Sequence, residues 1–166
     1  PRQVIQACRD QQLLSNLSIT DIGYYPKAAF HFRERNQGSN QHILIYCTSG
    51  RGWALVDDNK MPVKEGEYLV IPAGVKHRYG ADEDQPWSIY WAHFNGWSAA
   101  NFIDLLLKNC TGYVGSAIYN EKRTALFNDI YRTLESGYSI DHLFYLNMMF
   151  SSYLGTFCFP QFLNPP

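Results

Sequence analysis

The segment between Gly66 and His77 constrains the fold of this chain more than any other part of the sequence. Gly66 is followed by Glu-Tyr-Leu-Val-Ile, whose β-branched and aromatic side chains are typical of a short strand. Pro72-Ala-Gly74 then has proline where a turn fixes φ and glycine where a turn needs a positive φ. The segment therefore predicts a strand between two tight turns, with the polar side chain of His77 held just beyond the second turn.

Short strands separated by turn residues are predicted throughout the first 96 residues. Ser49-Gly-Arg-Gly52 fits the turn of a hairpin, and Pro62 predicts an edge strand because proline cannot donate to a β-ladder. Many short strands at this spacing predict a β-barrel or a β-sandwich. The predicted strands are 17–25, 28–33, 42–48, 53–56, 61–64, 67–71, 77–79 and 87–94.

After Gly96 the spacing of apolar residues becomes helical, and three helices are predicted. Ser98, Asn120 and Ser139 can each cap the start of a helix, and Gly137 fits the end of the second helix. Strands followed by helices, without alternation, argue against a parallel α/β sheet. We therefore expect three parts: an N-terminal arm at 1–18, a barrel at 19–96 and a helical subdomain at 97–160.

The third predicted helix, at 139–159, carries apolar residues at a spacing typical of a packing seam. This seam is our candidate for a dimer contact between two copies of the chain. The alternative is that the same face packs against the chain's own barrel. The residues of the seam are Leu143, Leu146, Phe150, Tyr153 and Leu154.

The overall composition argues against several classes of protein. The formal net charge is −1, so the charge balance does not call for nucleic acid or an anionic membrane as a partner. The four cysteines lie far apart without a C-x-x-C pair, which predicts free thiols in a reducing, cytoplasmic compartment. No signal-peptide pattern and no membrane-length apolar run is present. Because both ends look cut, we expect a fragment of a longer protein.

No pattern in the sequence predicts a catalytic group, a cofactor or a metal ion. His77 and His93 are expected to come close across adjacent strands, but two histidines do not make a zinc or iron site. No nucleophile motif and no pair of carboxylates on the strands is present. From residue 109 onward the only basic residues are Lys122, Arg123 and Arg132, too few for a DNA-binding face.

A set of polar and aromatic residues on three predicted strands or strand ends suits a neutral polyhydroxylated ligand. Indole faces stack on sugar C–H faces, and arginine and tyrosine donate hydrogen bonds to hydroxyl oxygens. The residues are Arg35, Tyr79 and Trp91. The alternatives are a surface charge for Arg35 and a position at the barrel end for Tyr79. Trp91 shares one strand face with His93, and either face of that strand could be the core face.

Four segments together resemble the N-terminal effector-binding and dimerization domain of AraC-family transcription regulators. The resemblance covers about residues 20 to 96 well and the helical tail more loosely. The block Pro72-x-Gly-x-x-His77 alone is typical of cupins, small β-barrels whose histidine points into the lumen. The segments are Arg35-Asn-Gln-Gly38, His42 to Trp53, Gly66 to Tyr79 and Trp87 to Gly96.

The resemblance implies a mainly β fold with α-helices: a small cupin-like, double-stranded β-helix (jelly-roll) barrel followed by about three C-terminal helices. In this bacterial family the barrel binds a small effector, often a sugar, and the helices pair two subunits into a homodimer. DNA is bound by a separate C-terminal domain with two helix-turn-helix motifs. The resemblance implies that this domain is missing from the present chain and that the chain is a fragment.

The resemblance also assigns roles to individual residues. Arg35, Tyr79 and Trp91 match sugar contacts of the arabinose-binding relative, and His77 and His93 are further candidate ligand contacts. A histidine contact of that relative falls at Ile89 here, which leaves the identity of the effector open. The N-terminal arm of the relative closes over its ligand, and residues 1–18 would be the corresponding arm.

Two other classes of function remain open from the sequence. One is a metal-free cupin enzyme, such as a sugar isomerase or epimerase, with His77 or His93 as the base and Tyr79 as the acid. No carboxylate lies on the strands that carry these histidines, which argues against it. The other is a dimerization module whose barrel is filled by its own aromatic side chains.

Overall fold

The structure, a computed structural model, describes residues 2–164 and contains ten β-strands in that range. They form two antiparallel sheets, one with the order β1-β8-β3-β6-β10-β9 and the other with the order β2-β7-β4-β5. The strands are β1 (Ser18–Tyr25), β2 (Phe32–Arg35), β3 (His42–Ser49), β4 (Arg51–Val56), β5 (Asn59–Lys64), β6 (Glu67–Ile71), β7 (His77–Ala81), β8 (Ser88–Asn95), β9 (Cys110–Thr111) and β10 (Val114–Ser116).

Five α-helices occur in the described residues, two of them before the first strand and three after the eighth. No helix in residues 2–164 is long and apolar enough to cross a membrane. The helices are α1 (Arg2–Asp10), α2 (Gln12–Asn16), α3 (Ala99–Leu107), α4 (Glu121–Ser136) and α5 (Ile140–Cys158), with a short 3-10 helix at Pro160–Phe162.

The six-stranded sheet is buried on both of its faces. Along β8, Ile89 and Trp91 belong to the core between the two sheets, whereas Ala92 and Phe94 belong to the core between the sheet and the helices. Successive side chains of a strand point to opposite faces, so one strand serves both cores. The predicted fold class is confirmed: a mainly β, two-sheet barrel followed by C-terminal helices.

Most of the predicted strands are present, with one shift and two additions. Pro62 lies on β5, which is the edge strand of the four-stranded sheet as predicted. The predicted strand at 28–33 is wrong in position, because positive φ angles at Lys27 and Phe30 bend the chain into a turn and β2 begins only at Phe32. The short strands β9 and β10 were not predicted; β10 extends the sheet by pairing with β6.

Two of the three predicted helix caps are confirmed. The side chain of Asn120 accepts a hydrogen bond from the Lys122 amide at the start of α4, and that of Ser139 accepts one from the His142 amide at the start of α5. Ser98 precedes α3 but makes no capping bond. Its hydroxyl instead donates to the carbonyl of Asn16, which ties α3 to the N-terminal segment.

That N-terminal segment packs on the helical side of the molecule. Leu14 and Leu17 are buried in the same core as the C-terminal helices. The amide of Trp97 donates to the carbonyl of Ser15, which fixes the end of α2 beside the start of α3. The arm in this structure therefore lies against the outer face of the six-stranded sheet.

The five side chains of the predicted dimer seam are buried inside this chain. Their exposed fractions run from 0 to 4% for Leu143, Leu146, Phe150, Tyr153 and Leu154. Phe150, for example, packs edge-on against Phe94 of β8, with ring centroids 5.2 Å apart. These five side chains are thus core residues of the single chain, and a contact between two copies made through α5 would have to use its other face.

We predict that Phe150→Ala lowers the free energy of unfolding by about 3–5 kcal/mol, because it leaves a cavity between β8 and α5. Phe162→Ala is the matched control, since Phe162 is 72% exposed, and it should change stability by less than about 0.5 kcal/mol. Urea denaturation followed by circular dichroism measures both values. Equal effects of the two substitutions would contradict the assignment of Phe150 to the core.

Candidate functional site

A cavity of about 140 Å³ lies between the two sheets. Its lining combines charged, imidazole and aromatic side chains with two isoleucines. It is formed by strands β1, β2, β3, β7 and β8 and the turn before β2. The lining residues are Asp21, Tyr25, His31, Arg33, Arg35, Ile45, Tyr79, Ile89, Trp91 and His93.

The pairing of β2 with β7 determines which side chains reach the cavity. Arg33 lies opposite Tyr79 and Arg35 lies opposite His77 in the register of these strands. Because side chains alternate between the faces of a strand, these residues share the inner face. The intervening pair, Glu34 and Arg78, is exposed on the outside of the sheet.

Two glycine turns fix the end of β2 beside the start of β7. Gly38 and Gly74 both have positive φ, at 74° and 80°. A Cβ atom on Gly38 would lie 2.5 Å from the carbonyl carbon of Gly74, so the two turns touch through their backbones. The Gly74 amide donates to the Ser39 carbonyl at 2.8 Å. The predicted Pro-x-Gly turn therefore positions Arg35 as well as His77.

His77 holds Arg35 in place and does not itself line the cavity. Its Nδ1 lies 2.9 Å from the Val75 carbonyl oxygen, and its Nε2 lies 3.2 Å from Nη1 of Arg35. Since a guanidinium can only donate, Nε2 accepts and Nδ1–H donates, which fixes a neutral tautomer. Burial lowers the pKa of His77, and the charge of Arg35 lowers it further, against an opposing effect of the bond to Val75.

Trp91 forms one wall of the cavity because its strand partner is a glycine. Gly23 of β1 lies opposite Trp91, and a Cβ on Gly23 would come within 2.5 Å of the indole ring. The ring therefore lies over the bare backbone of β1. Its Nε1–H is buried and has no hydrogen-bond partner among the described residues. Tyr25 and His93 flank the indole, with ring centroids 5.8 and 5.3 Å away.

The two histidines of the cavity lining are held neutral. Burial lowers the pKa of His93 to about 4, with opposing contributions from Asp21, which raises it, and from Arg35 and His77, which lower it. Nδ1 of His93 lies 3.2 Å from Oε1 of Gln41, so this nitrogen is the donor. Nδ1 of His31 accepts from the indole N–H of Trp87 at 3.3 Å. Burial, and secondly the charge of Arg33, lower the pKa of His31.

The structure brings together most of the residues singled out from the sequence. Arg35, Tyr79, Trp91 and His93 all line the cavity, whereas His77 lies behind Arg35. His77 and His93 are not on adjacent strands as expected, because β7 and β8 belong to different sheets. Within residues 2–164, no group of three or more His, Cys, Asp or Glu side chains is placed to hold a metal ion.

Four polar or aromatic lining residues were missed by sequence reasoning. Arg33 could have been found, because it lies two residues before Arg35 on the same strand and so shares its face. Asp21 and Tyr25 lie on β1, where a bulge between Ile19 and Asp21 shifts the register. His31 lies in the turn before β2, which the sequence predicted as strand.

Known proteins are similar to this chain over much of its length. The family model described as AraC-like ligand binding domain matches residues 22–143. The MmsAB operon regulatory protein of Pseudomonas aeruginosa is 31% identical over 150 residues, which are 86% of this chain and 47% of that protein. The raffinose operon transcriptional regulatory protein RafR of Pediococcus pentosaceus is 30% identical over 73 residues, 43% of this chain and 25% of that protein.

Among solved structures, a cupin protein from Bacteroides fragilis matches with a TM-score of 0.37 and 21% identity, covering 54% of this chain and 75% of its own. The matched part of the chain spans less than half the length of each of these two curated relatives.

We predict that the folded chain loses stability as the pH falls below about 6.5, the ordinary pKa of histidine. Burial lowers the pKa of His31, His77 and His93 in the folded chain, to about 4 for His93. The unfolded chain therefore binds more protons than the folded chain between about pH 6.5 and pH 4. The contribution of the three neutral histidines to the free energy of unfolding is fully present above pH 6.5 and is lost as the pH falls through this range.

The variant His93→Gln should flatten the pH dependence of unfolding between about pH 6.5 and pH 4, because it removes the group with the largest change. Urea denaturation at several pH values measures this slope. An identical slope in the variant and the parent chain would contradict a buried, neutral His93.

Proposed function

Because this chain belongs to the family of AraC-like ligand-binding domains, we propose that it is the effector-sensing and dimerization domain of a bacterial transcription regulator. In this proposal the effector is a small molecule, a sugar or a sugar derivative, bound in the cavity between the sheets. DNA binding would belong to a separate helix-turn-helix domain of the full-length protein. The observation that carries the proposal is the cavity itself, in which Arg35, Tyr79 and Trp91 meet.

The size and lining of the cavity support a small polar effector. The cavity volume of about 140 Å³ is below that of typical ligand pockets, which is roughly 300–1,000 Å³. A monosaccharide or a smaller compound therefore fits better than an oligosaccharide. The indole of Trp91 offers a face for stacking, and Arg35 offers a fork of donors. The relative named for a raffinose operon is in keeping with a carbohydrate effector.

The histidines support binding rather than catalysis. Both ring nitrogens of His77 are engaged, one by Val75 and one by Arg35, so neither is free to take a proton from a substrate. Burial lowers the pKa of His93 to about 4, which makes it a weak base at neutral pH. An open cavity also argues against a barrel filled completely by its own side chains.

Two contacts support a route from the cavity to the helices. Asp21 lines the cavity, and across the β1 bulge the Ile19 amide donates to Oδ1 of the buried Asn147 of α5 at 2.9 Å. On β8, Tyr90 is next to Trp91 and packs edge-on against Phe127 of α4 at 4.6 Å. In our proposal, effector binding acts on the helices through these two strands.

The exposed face of α5 is our candidate for the dimer contact. Tyr145 and Met148 are 59% and 61% exposed, one turn apart on the side away from the barrel. Exposed aromatic and methionine side chains are enriched at interfaces between proteins. The dimer proposed from the sequence is kept, with these side chains in place of the buried seam.

We predict that at least one monosaccharide or sugar derivative raises the melting temperature of the domain. At 100 times the Kd, a ligand stabilises by about 2.7 kcal/mol, or roughly 5–11 °C for a chain of this size. Trp91→Ala should abolish the shift. Gly23→Ala should weaken it, because the added Cβ pushes the indole into the cavity. A panel without any shift, on a folded domain, would argue for a barrel without effector.

We predict that the domain is a dimer at micromolar concentration and that the double variant Tyr145→Glu, Met148→Glu is monomeric, because two charges would be desolvated in the contact. Light scattering after size exclusion gives the mass. The control is Phe30→Glu, a change from an apolar to an acidic side chain at a fully exposed position in the turn before β2. A parent chain of monomer mass, or a double variant that remains dimeric, would contradict this contact.

A further inference from the structure

We propose that the effector carries an anionic group, a carboxylate or a phosphate, and that Arg33 and Arg35 bind it together. This inference rests on the proposed function, because it names the chemical class of the effector for the same cavity. It departs from the neutral sugar that the sequence alone suggested.

The first observation is that both arginines face the same cavity. They lie two residues apart on β2, and both line the space between the sheets. Arg35 is held by the accepting Nε2 of His77 at 3.2 Å, which orients the guanidinium without neutralising it. Arg33 is exposed at the cavity mouth, and its Nη1 donates to the carbonyl of its neighbour Phe32.

The second observation is that neither arginine has a carboxylate partner within residues 2–164. The ion pairs formed by this part of the chain are Arg51 with Asp82, Lys76 with Asp58 and Arg132 with Asp129. Arginine forms bidentate, charge-assisted hydrogen bonds with carboxylate and phosphate groups. The two guanidinium groups in this small cavity therefore have N–H donors without an anionic acceptor, which a bound anion would supply.

The third observation is the charge balance of the lining. Burial lowers the pKa of His31 and His93, so both rings are neutral near pH 7 and do not add to the charge. Asp21, on the other sheet, is the one acidic residue among the lining residues. The cavity therefore has two positive charges on β2 and one negative charge on β1. A ligand with an anion at one end and hydroxyl donors at the other matches this arrangement.

The test compares neutral compounds with derivatives that carry a carboxylate or a phosphate on the same carbon skeleton. One set is glycerol, glycerate and glycerol phosphate, and the other is glucose, glucuronate and glucose 6-phosphate, which all keep the six-membered ring. Affinities for the domain are measured by titration calorimetry. We expect at least one charged member to bind about tenfold or more tightly than its neutral counterpart, and the comparison of acid with phosphate identifies which anion the site takes.

Variants of the lining complete the test. Arg33→Gln and Arg35→Gln should each weaken binding of the anion by about tenfold to a hundredfold, and each should weaken binding of the neutral compound by less. Asp21→Asn should strengthen anion binding, because it removes the opposing charge. The matched control is Arg78→Gln on β7, since Arg78 is exposed on the outer face of the same sheet. Because Arg33 is exposed as well, Arg33→Gln is the cavity substitution least able to disturb folding.

The outcomes separate this inference from the proposed function. Neutral compounds that bind as tightly as their charged counterparts would overturn the anionic effector and leave a sugar sensor in place. Unchanged anion affinity in both Arg33→Gln and Arg35→Gln would also overturn it. Failure of every compound to bind a folded domain would remove both proposals.

Discussion

The structure depends on one constraint, that the six-stranded sheet must bury both of its faces. On β3, Ile43 and Ile45 belong to the core between the sheets, whereas Leu44 and Tyr46 belong to the core under the helices. A strand with period-two alternation usually has one polar face, but here both faces are apolar. This is why the cavity and the helical subdomain share a sheet, in which each central strand carries side chains for both.

A buried arginine holds the helical layer together. Arg123 at the start of α4 is 1% exposed, and it donates to the carbonyls of Ile118 and Thr156, both at 2.8 Å. Thr156 lies in the last turn of α5, where the helix dipole favours a positive charge. The guanidinium also lies over the rings of Tyr46 and Phe157, at 5.0 and 4.5 Å. One side chain therefore joins two helices to the six-stranded sheet.

The sequence was informative where a local rule had only one physical solution. Pro72 and Gly74 specified a turn, and the three-four spacing of apolar residues specified α5. The same spacing could not say whether the buried partner of α5 was a second chain or its own sheet, because both would bury the same face. Nor could the sequence show the turn at Lys27 and Phe30, since non-glycine residues with positive φ leave no pattern.

The cavity and the helices lie on opposite faces of one sheet, which bears on how an effector could act on the helices. Trp91 lines the cavity, and its neighbour on the same strand, Tyr90, contacts α4. Only the thickness of one strand therefore separates the cavity from the helices. A ligand shifts an equilibrium only by the difference between its affinities for the two states. Arg35 is already oriented by His77, so we expect little of that difference to come from it. Asp21 and Trp91, which lie on strands that contact the helices, are then the groups through which the effector would distinguish the two states.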